Sequence, residues 1–193
     1  MNIGISYQDS YSRGQLLLRT FFGALYIAIP HFFLLAFVSI WSSILAFATF
    51  WIALFTGGIP EGIFSFQLRY YRWMFRVSAS MSNLVDNYPP IGLDKTMEGV
   101  DYEVDRPESV SRGLVLVRAL FGAIYVMIPH GVAVGFRGIG SAVLMGLAWW
   151  VVLFTGKYPE RWHAFNVGTL RWEQRITLYM MYLTDEYPPF SGK

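Results

Sequence analysis

Residues 20–55 read TFFGALYIAIPHFFLLAFVSIWSSILAFATFWIALF, and residues 119–154 read ALFGAIYVMIPHGVAVGFRGIGSAVLMGLAWWVVLF. The two stretches are copies of one segment, because a gapless shift of 99 residues places Ile29-Pro30-His31 on Ile128-Pro129-His130. Together they contain a single charged residue, Arg137. The chain is therefore a tandem repeat of one apolar helical unit, and any site on a repeated residue should occur twice.

The composition of the chain is typical of a membrane protein. Hydrophobic residues make up 54% of it and charged residues only 15%, whereas soluble domains carry roughly 25% charged residues. A chain of 193 residues has too little interior to bury so much apolar surface in water. It has no cysteine, which excludes disulfides, iron–sulfur clusters and thiolate zinc sites. Its motifs include no phosphate-binding loop, metal-ligand cluster or nucleophile–base pair, so we expect no catalysis, metal, cofactor or nucleic-acid partner.

Each apolar stretch is predicted to form a transmembrane hairpin. Residues 20–39 have about the 20-residue length that a transmembrane helix needs. A polar break at Ser39 and Ser42-Ser43 precedes a second apolar run, and the break in the second copy contains Arg137-Gly138. The predicted fold is an all-α membrane protein with four transmembrane spans. These spans cover residues 20–39, 42–55, 119–136 and 139–154.

A helix of different character is predicted after each hairpin. Gly57 and Gly156 suit the left-handed position that ends a helix, and Pro60-Glu61 and Pro159-Glu160 suit a new helix start. In the first copy, polar residues recur every three or four positions and form a basic stripe on an apolar helix. Its arginines would be costly at the bilayer centre, so we predict an amphipathic interfacial helix rather than a further span. The two helices are predicted over residues 60–84 and 159–183.

Polar segments surround the two predicted repeats. A polar N-terminus, repeat 1, an acidic linker, repeat 2 and a C-terminus cover residues 1–12, 13–90, 91–110, 111–190 and 191–193. Two spans per repeat return the chain to its starting side, so the hairpins should be parallel and related by a rotation about the membrane normal. All 15 lysines and arginines except Arg137 lie outside the hairpin turns, which places both termini in the cytoplasm. The acidic linker is expected to cover this face or to dock on the basic helices.

The second repeat carries the motifs of a known family. Pro129-His130 is followed by Leu-Phe-Thr-Gly-Lys-Tyr-Pro at 153–159, Leu-Arg-Trp at 170–172 and Leu-Thr-Asp-Glu-Tyr-Pro-Pro-Phe-Ser at 183–191. With these motifs the chain resembles an uncharacterised family of bacterial integral-membrane proteins. The resemblance implies a multi-pass protein of the bacterial inner membrane and implies no activity. The first repeat departs from the pattern at Gly58-Ile59, Val85 and Ile91.

His31 and His130 are the sharpest candidates for chemistry. Each lies about 11 residues inside its predicted span, which is about 16 Å deep and near the bilayer midplane. An ionisable group at that depth is by default a functional hypothesis. Two facing imidazoles could bind a haem, and they could also carry protons or contact lipid. We predict a structural role, because each histidine follows a proline that frees a backbone carbonyl, which an imidazole N–H could satisfy.

Other repeated polar residues suggest contacts rather than catalysis. Asp86 and Asp185 are expected to pair with an arginine or to form a turn, not to act as a catalytic pair. Gly131 and Gly135 form a small-xxx-small face that indicates close helix contact. Arginines of the interfacial helices are candidates for contact with phospholipid headgroups, and generic anchoring at the membrane surface is the favoured interpretation. These arginines are Arg69, Arg72, Arg76, Arg171 and Arg175.

These observations favour a non-enzymatic accessory or structural subunit of a bacterial membrane protein complex. Its expected partners are membrane lipids and other membrane-protein subunits. A lipid-binding or lipid-handling membrane protein is the first alternative, and it rests on the arginines. A small bis-histidine cytochrome is the second, and it rests on His31 and His130.

Overall fold

The computed structural model describes residues 1–193, and two long helices dominate it. The long helices α1 (Arg13–Thr56) and α3 (Arg112–Thr155) each contain 44 residues. The shorter helices α2 (Glu61–Met81) and α4 (Glu160–Met180) follow them. The strands β1 (Asn2–Ile5) and β2 (Val100–Glu103) form a two-stranded antiparallel sheet. Helices are therefore present where the two interfacial helices were predicted, as α2 and α4, and the sheet was not predicted.

The predicted transmembrane hairpins are wrong, because α1 and α3 continue through both polar breaks. The Ser39 and Ser43 hydroxyls donate to the carbonyls of Ala36 and Ser39 at 2.7 and 2.8 Å. Serine thus satisfies its hydroxyl inside the helix and needs no turn. Each long helix measures about 66 Å at 1.5 Å per residue. The chain therefore has two helices that are long and apolar enough to cross a membrane, in place of four short spans.

A single wide turn interrupts the hydrogen-bond ladder of each long helix. Residues Ala24–Ala28 and Ala123–Met127 form π-helical turns, immediately before Ile29-Pro30 and Ile128-Pro129. Proline has no N–H, and its ring crowds the preceding turn of a helix. Widening the helix by one residue accommodates the ring without ending the helix.

Each short helix folds back along its long helix. Gly57, with φ 72°, ends α1 in the left-handed conformation predicted for it. Trp73 on α2 then reaches His31, and Gln67 reaches Ser42. The Ser42 hydroxyl donates to Gln67 Oε1 at 2.5 Å, and Gln67 Nε2 returns a bond to the Ser42 carbonyl at 2.7 Å. A repeat is therefore a hairpin of one long and one short helix.

The small sheet lies on the axis that relates the two repeats. Ile3 pairs with Tyr102, and these residues are separated by the repeat offset itself. The strands are antiparallel, so a pseudo-twofold axis passes between this pair. Ile3, Ile5, Tyr102 and Val104 are buried, whereas Asp101 and Glu103, on either side of Tyr102, are exposed. The alternation is that of a strand with one covered face, but its four-residue length is too short to stand out in the sequence.

The same axis makes the long helices antiparallel. Tyr11 N–H donates to the Gly156 carbonyl and Val110 N–H to the Gly57 carbonyl, both at 2.8 Å. The start of each long helix therefore lies at the end of the other. A twofold axis that reverses the direction of the helices is perpendicular to them. The long helices are therefore antiparallel, and the predicted parallel arrangement of the two hairpins is wrong. Arg13 and Arg112 repeat the contact by donating to the carbonyls of Phe154 and Thr56.

The molecule has three layers along this axis. α2 lies between α1 and β2, because Trp73 and Gln67 face the long helix and Arg72 donates to the Tyr102 carbonyl of the strand. Charged side chains are exposed on the outer face of the sheet layer. The outer face of the long-helix layer is apolar and exposed. On α1 it consists of Leu17, Phe21, Phe22, Leu25, Ile29, Phe32, Phe33, Phe37, Ile40, Trp41, Ile44, Phe47, Trp51 and Phe55.

The sheet register can be tested with cysteine pairs, because the chain contains no cysteine. Asn2→Cys with Glu103→Cys should cross-link spontaneously, since opposite residues have Cα atoms about 4.5–5.5 Å apart, within reach of a disulfide. Non-reducing electrophoresis after limited proteolysis in the linker measures the yield. The matched control, Asn2→Cys with Asp101→Cys, is diagonal in this register at about 7–8 Å and should link poorly. Equal yields from the two pairs would contradict the register and the axis drawn through it.

Candidate functional site

The paired histidines lie in the contact between each long helix and its short helix. The Trp73 indole N–H donates to His31 Nδ1 at 2.8 Å, and the Trp172 indole N–H donates to His130 Nδ1 at 3.0 Å. Both imidazoles are fully buried. A ring nitrogen that accepts a hydrogen bond carries no proton, so each ring is neutral with its proton on Nε2. The motifs Pro-His and Arg-Trp, separate in the sequence, meet at this bond.

Tyrosine, not histidine, binds the carbonyl that each proline frees. Pro30 cannot donate to the carbonyl four residues earlier, on Tyr26. The Tyr88 hydroxyl donates to this carbonyl at 3.2 Å. In the second repeat the Tyr187 hydroxyl donates to the Tyr125 carbonyl at 3.0 Å. The need for a donor at the proline was predicted, but the predicted donor was wrong, because Tyr-Pro-Pro brings a hydroxyl back to this turn.

The structure does not bring His31 and His130 together. Each ring is enclosed by aromatic side chains of its own repeat. The ring of Phe190 stacks on His130 with centroids 3.9 Å apart and covers that face. Nε2 of both histidines is buried without a hydrogen-bond partner. The geometry is that of two separate packing clusters and not of two ligands facing one central iron.

A pair of arginines on the long helices binds backbone carbonyls at the C-terminal ends of the short helices. Arg118 is 1% exposed and donates to the carbonyls of Tyr179 and Thr184 at 2.8 and 2.7 Å. It also forms an ion pair with Asp185, which confirms the expected pairing of that carboxylate with an arginine. Arg19 binds the Val85 carbonyl in the same way, at 2.5 Å. Both arginines recur in the sequence repeat, and that recurrence was the only signal of their role.

The two aspartates also bind the residues that cap the N-termini of the long helices. Asp86 accepts from the Ser12 N–H at 2.7 Å, and Asp185 accepts from the Ser111 N–H at 2.6 Å. Ser12 and Ser111 cap the helix N-termini with their side chains. A carboxylate beside a helix N-terminus is stabilised by the unpaired N–H groups there. The aspartates therefore tie the end of each repeat to its beginning.

The basic stripe of α2 faces the sheet and the linker. Arg72 donates to the Tyr102 carbonyl at 3.2 Å from Nε and 3.0 Å from Nη2, and Arg171 donates to the Ile3 carbonyl at 2.5 Å. Each arginine thus holds the strand that precedes the other repeat. Arg69 pairs with Asp94 at 2.6 Å, so the acidic linker docks on the basic helix as predicted. Protein, rather than membrane, covers this stripe, and headgroup binding by the stripe stays a prediction.

The remaining two predicted arginines also bind backbone carbonyls. Arg76 is 1% exposed and donates from Nη2 to the Gly92 carbonyl at 2.7 Å. Burial, followed by the nearby charge of Arg72, lowers the pKa of the Arg76 guanidinium to about 10, so it stays protonated at neutral pH. Arg175 donates to the Lys193 carbonyl. Arg76 therefore has no surface to offer a membrane.

A family model described as Domain of unknown function (DUF4389) matches the chain twice, over residues 15–91 and 115–192. The chain belongs to this family. The double match confirms the tandem repeat and the resemblance to an uncharacterised domain. No curated protein and no solved structure matches the chain. Each matched copy of the domain contains its Pro-His, Arg-Trp and Tyr-Pro-Pro motifs, whereas both strands of the sheet lie outside the copies.

The two copies of the domain differ in the position of one half-buried cation. Gly168 stands at the position of Arg69, and Arg137 stands at the position of Val38. Arg137 lies inside α3, not in a turn, and donates to Thr169 Oγ1 and the Phe165 carbonyl, both at 3.0 Å. A Cβ atom on Gly168 would lie 2.9 Å from Arg137 Nη2. In the second copy the cation therefore belongs to the long helix, whereas in the first copy it belongs to the short helix.

The tyrosine–carbonyl bond of the domain can be tested by a double-mutant cycle. Tyr88→Phe should lower the free energy of unfolding by about 1 kcal/mol, because it leaves the Tyr26 carbonyl without a donor. In a Pro30→Ala background the same change should cost less, since residue 30 then supplies an N–H of its own. Chemical unfolding in detergent measures both costs, and Tyr187→Phe with Pro129→Ala is the matched pair. Strictly additive costs in both repeats would contradict the assignment.

Proposed function

We propose that this protein is a non-enzymatic structural subunit of a bacterial inner-membrane complex, anchored by its two long helices. The observation that carries the proposal is the division of the molecule into an apolar and a charged side. Between Leu17 and Phe55 the exposed face of α1 carries no charged residue, because Arg19 is turned inward. A monomeric soluble protein rarely exposes a contiguous apolar patch of this extent.

The axis of the molecule supports one orientation in the membrane. If the long helices stood upright, the twofold axis would lie in the membrane plane at mid-height. Asp101 and Glu103, exposed on the strand beside that axis, would then lie at the depth of the bilayer centre. Each carboxylate there costs about 2.5–3.5 kcal/mol on insertion scales. We therefore place the axis along the membrane normal, with both repeats facing the membrane alike and the sheet and termini in the cytoplasm.

The length of the apolar face supports the same orientation. Leu17 and Phe55 are about 57 Å apart along a straight helix. The hydrocarbon core is about 30 Å thick, so a helix immersed over this length must tilt by at least about 60° from the normal. The long helices thus lie close to the membrane plane, with apolar side chains in the hydrocarbon and the short helices behind them. Each long helix is then placed like an amphipathic interfacial helix, with its apolar face in the hydrocarbon. Its opposite face contacts protein instead of water.

The proposal of a partner subunit is supported by a helix face that no other part of the chain covers. A Cβ atom added at Gly131 or Gly135 would meet nothing within 4 Å. Small residues at this spacing let a second helix approach closely inside a membrane. In the first repeat, Phe32 and Ala36 occupy the same positions, so the open face occurs once per chain. We propose that it receives a helix of the partner subunit.

Depth measurements test the orientation. Single-tryptophan variants that keep Trp41, or carry Phe21→Trp or Phe55→Trp instead, are reconstituted into bilayers with brominated lipids. All three positions are exposed on α1, and we expect strong quenching at one common depth. A variant that keeps only the buried Trp73 is the control and should stay unquenched. Upright helices would instead quench at Trp41 alone, because the two outer positions are about 51 Å apart, and that profile would contradict the proposal.

The partner proposal is tested on the open glycine face. Gly131→Leu with Gly135→Leu should leave the fold intact, because nothing occupies this space. The same variant should lose any subunit that copurifies with the native protein in mild detergent, as measured by mass spectrometry. Val132→Leu, exposed on the neighbouring face of the helix, is the matched control and should keep that subunit. A protein that purifies alone, or a subunit that survives both leucines, would refute the proposed docking.

A further inference from the structure

A cleft separates the two repeats at the middle of the long helices. The start of each long helix lies at the end of the other, where the Trp149 indole N–H donates to Thr20 Oγ1 at 2.8 Å. Between these ends, two cavities of about 270 and 410 Å³ lie beside α1, one at Leu35 and the other from Ser39 to Ala46. They share Met74 of α2, and residues of α4 complete their walls. The two cavities therefore form one cleft between the repeats.

Glu173 lies on the face of α4 that borders this cleft. Leu170 lines the first cavity and Thr177 lines the second. Glu173 lies between them in the chain, and the three residues fall within about 60° of arc on the helix. Arg171 and Trp172 are directed elsewhere, to the sheet and to α3.

The repeat symmetry also places Glu173 in the wall of the cleft. The shift of 99 residues puts Glu173 on Met74, which lines both cavities. Glu173 is half-buried, and none of the ion pairs of the chain includes it. Burial raises the pKa of its carboxyl group, and no neighbouring cation counteracts this effect. One repeat thus has a carboxyl group without a cationic partner where the other has a thioether.

The proposed orientation puts Glu173 at the depth of the lipid head groups. Packed helices have axes about 8–10 Å apart, so α4 lies closer to the cytoplasm than the long helices, whose outer faces are in the hydrocarbon. The cleft leads from this level to the apolar face, because Phe32 lines the first cavity and is exposed on that face. A lipid in the cleft would have its chains between the long helices and its head group near Glu173.

The side chains of the cleft define the head group. A carboxylate repels a head group that carries only negative charge, and it accepts charge-assisted hydrogen bonds from an ammonium group. An ammonium group beside the carboxylate also favours its ionised form despite the burial. Met74 and Met81 line the first cavity, and flexible thioethers adapt to an irregular apolar ligand such as an acyl chain. Ser78 and Ser82 are half-buried in the same wall, and a serine hydroxyl can donate to a phosphate oxygen.

We propose that the cleft holds one aminophospholipid of the cytoplasmic leaflet, with its ammonium group on Glu173 and its acyl chains between the long helices. The inference rests on the proposed orientation, because that orientation sets Glu173 at head-group depth. The lipid binds once per chain, since Met74 offers no charge at the equivalent position. It contacts both repeats on the membrane side, whereas the sheet joins them on the opposite side.

Native mass spectrometry of the full chain in maltoside detergent, with equal amounts of phosphatidylethanolamine and phosphatidylglycerol added, tests the proposal. The protein should retain phosphatidylethanolamine about tenfold more than phosphatidylglycerol, as expected for one hydrogen bond between charged groups. Glu173→Gln should abolish this preference. Glu173→Met should also abolish it and leave the fold intact, because the first repeat carries methionine at this position. Met74→Leu is the matched control and should keep the preference, since the two side chains have similar volumes.

Other outcomes would overturn the inference. Equal retention of the two lipids by the native chain would do so, as would a preference that survives Glu173→Gln. Displacement of the lipid by glycerophosphoethanolamine would assign the site to a soluble ligand, and a carbodiimide cross-link from Glu173 to a lysine of a copurified subunit would assign it to a partner helix. Absence of the preference in a protein whose Trp41 quenching fits the proposed orientation would refute this inference alone, whereas the quenching profile of upright helices would refute the orientation.

Discussion

The exchange of strands between the repeats is the contact on which the rest of the structure depends. The strand before each repeat is held by an arginine of the other, Arg72 to Tyr102 and Arg171 to Ile3, and the two strands pair across the axis. A single repeat would leave its arginine without an acceptor and its strand without a partner, and an isolated strand pair is marginal in water. The exchange also fixes the axis, and the axis makes the long helices antiparallel. Joining both copies in one chain removes the cost of bringing them together.

The sequence predicts the units of this fold better than their arrangement. The repeat, the glycines that end the long helices and the short helices after Pro60 and Pro159 follow from local rules that act within a few residues. The hairpins were predicted from three serines, but serine can satisfy its hydroxyl within the helix, and no local rule decides between the two outcomes. The direction of the axis depends on the pairing of two strands that are almost a hundred residues apart in the sequence. The repeat offset does not reveal this direction, because it is the same whether the two copies are parallel or antiparallel.

The candidate sites show the same limit. The pattern identified a freed carbonyl at each proline and favoured the neighbouring histidine as its donor, because that histidine is the nearest polar group along the chain. The chain instead returns Tyr88 and Tyr187 to that turn from the far end of each repeat. The basic stripe of α2 was correctly placed on one face of a helix, yet the spacing of polar residues along a helix does not determine what covers its polar face. Here the cover is a strand whose own signal is four residues long.

Duplication also separates what the fold requires from what it leaves free. Contacts present in both repeats, such as the His–Trp and Tyr–carbonyl bonds, are explained by packing alone, because each serves the same turn of the same helix. Differences between the copies need another explanation. The cation on Arg69 moves to Arg137, and the glycine face at Gly131 has no counterpart in the first repeat. A twofold structure has no packing reason to keep such differences. Since shared contacts hold the two halves in register, a function of the whole chain is to be sought where the halves diverge.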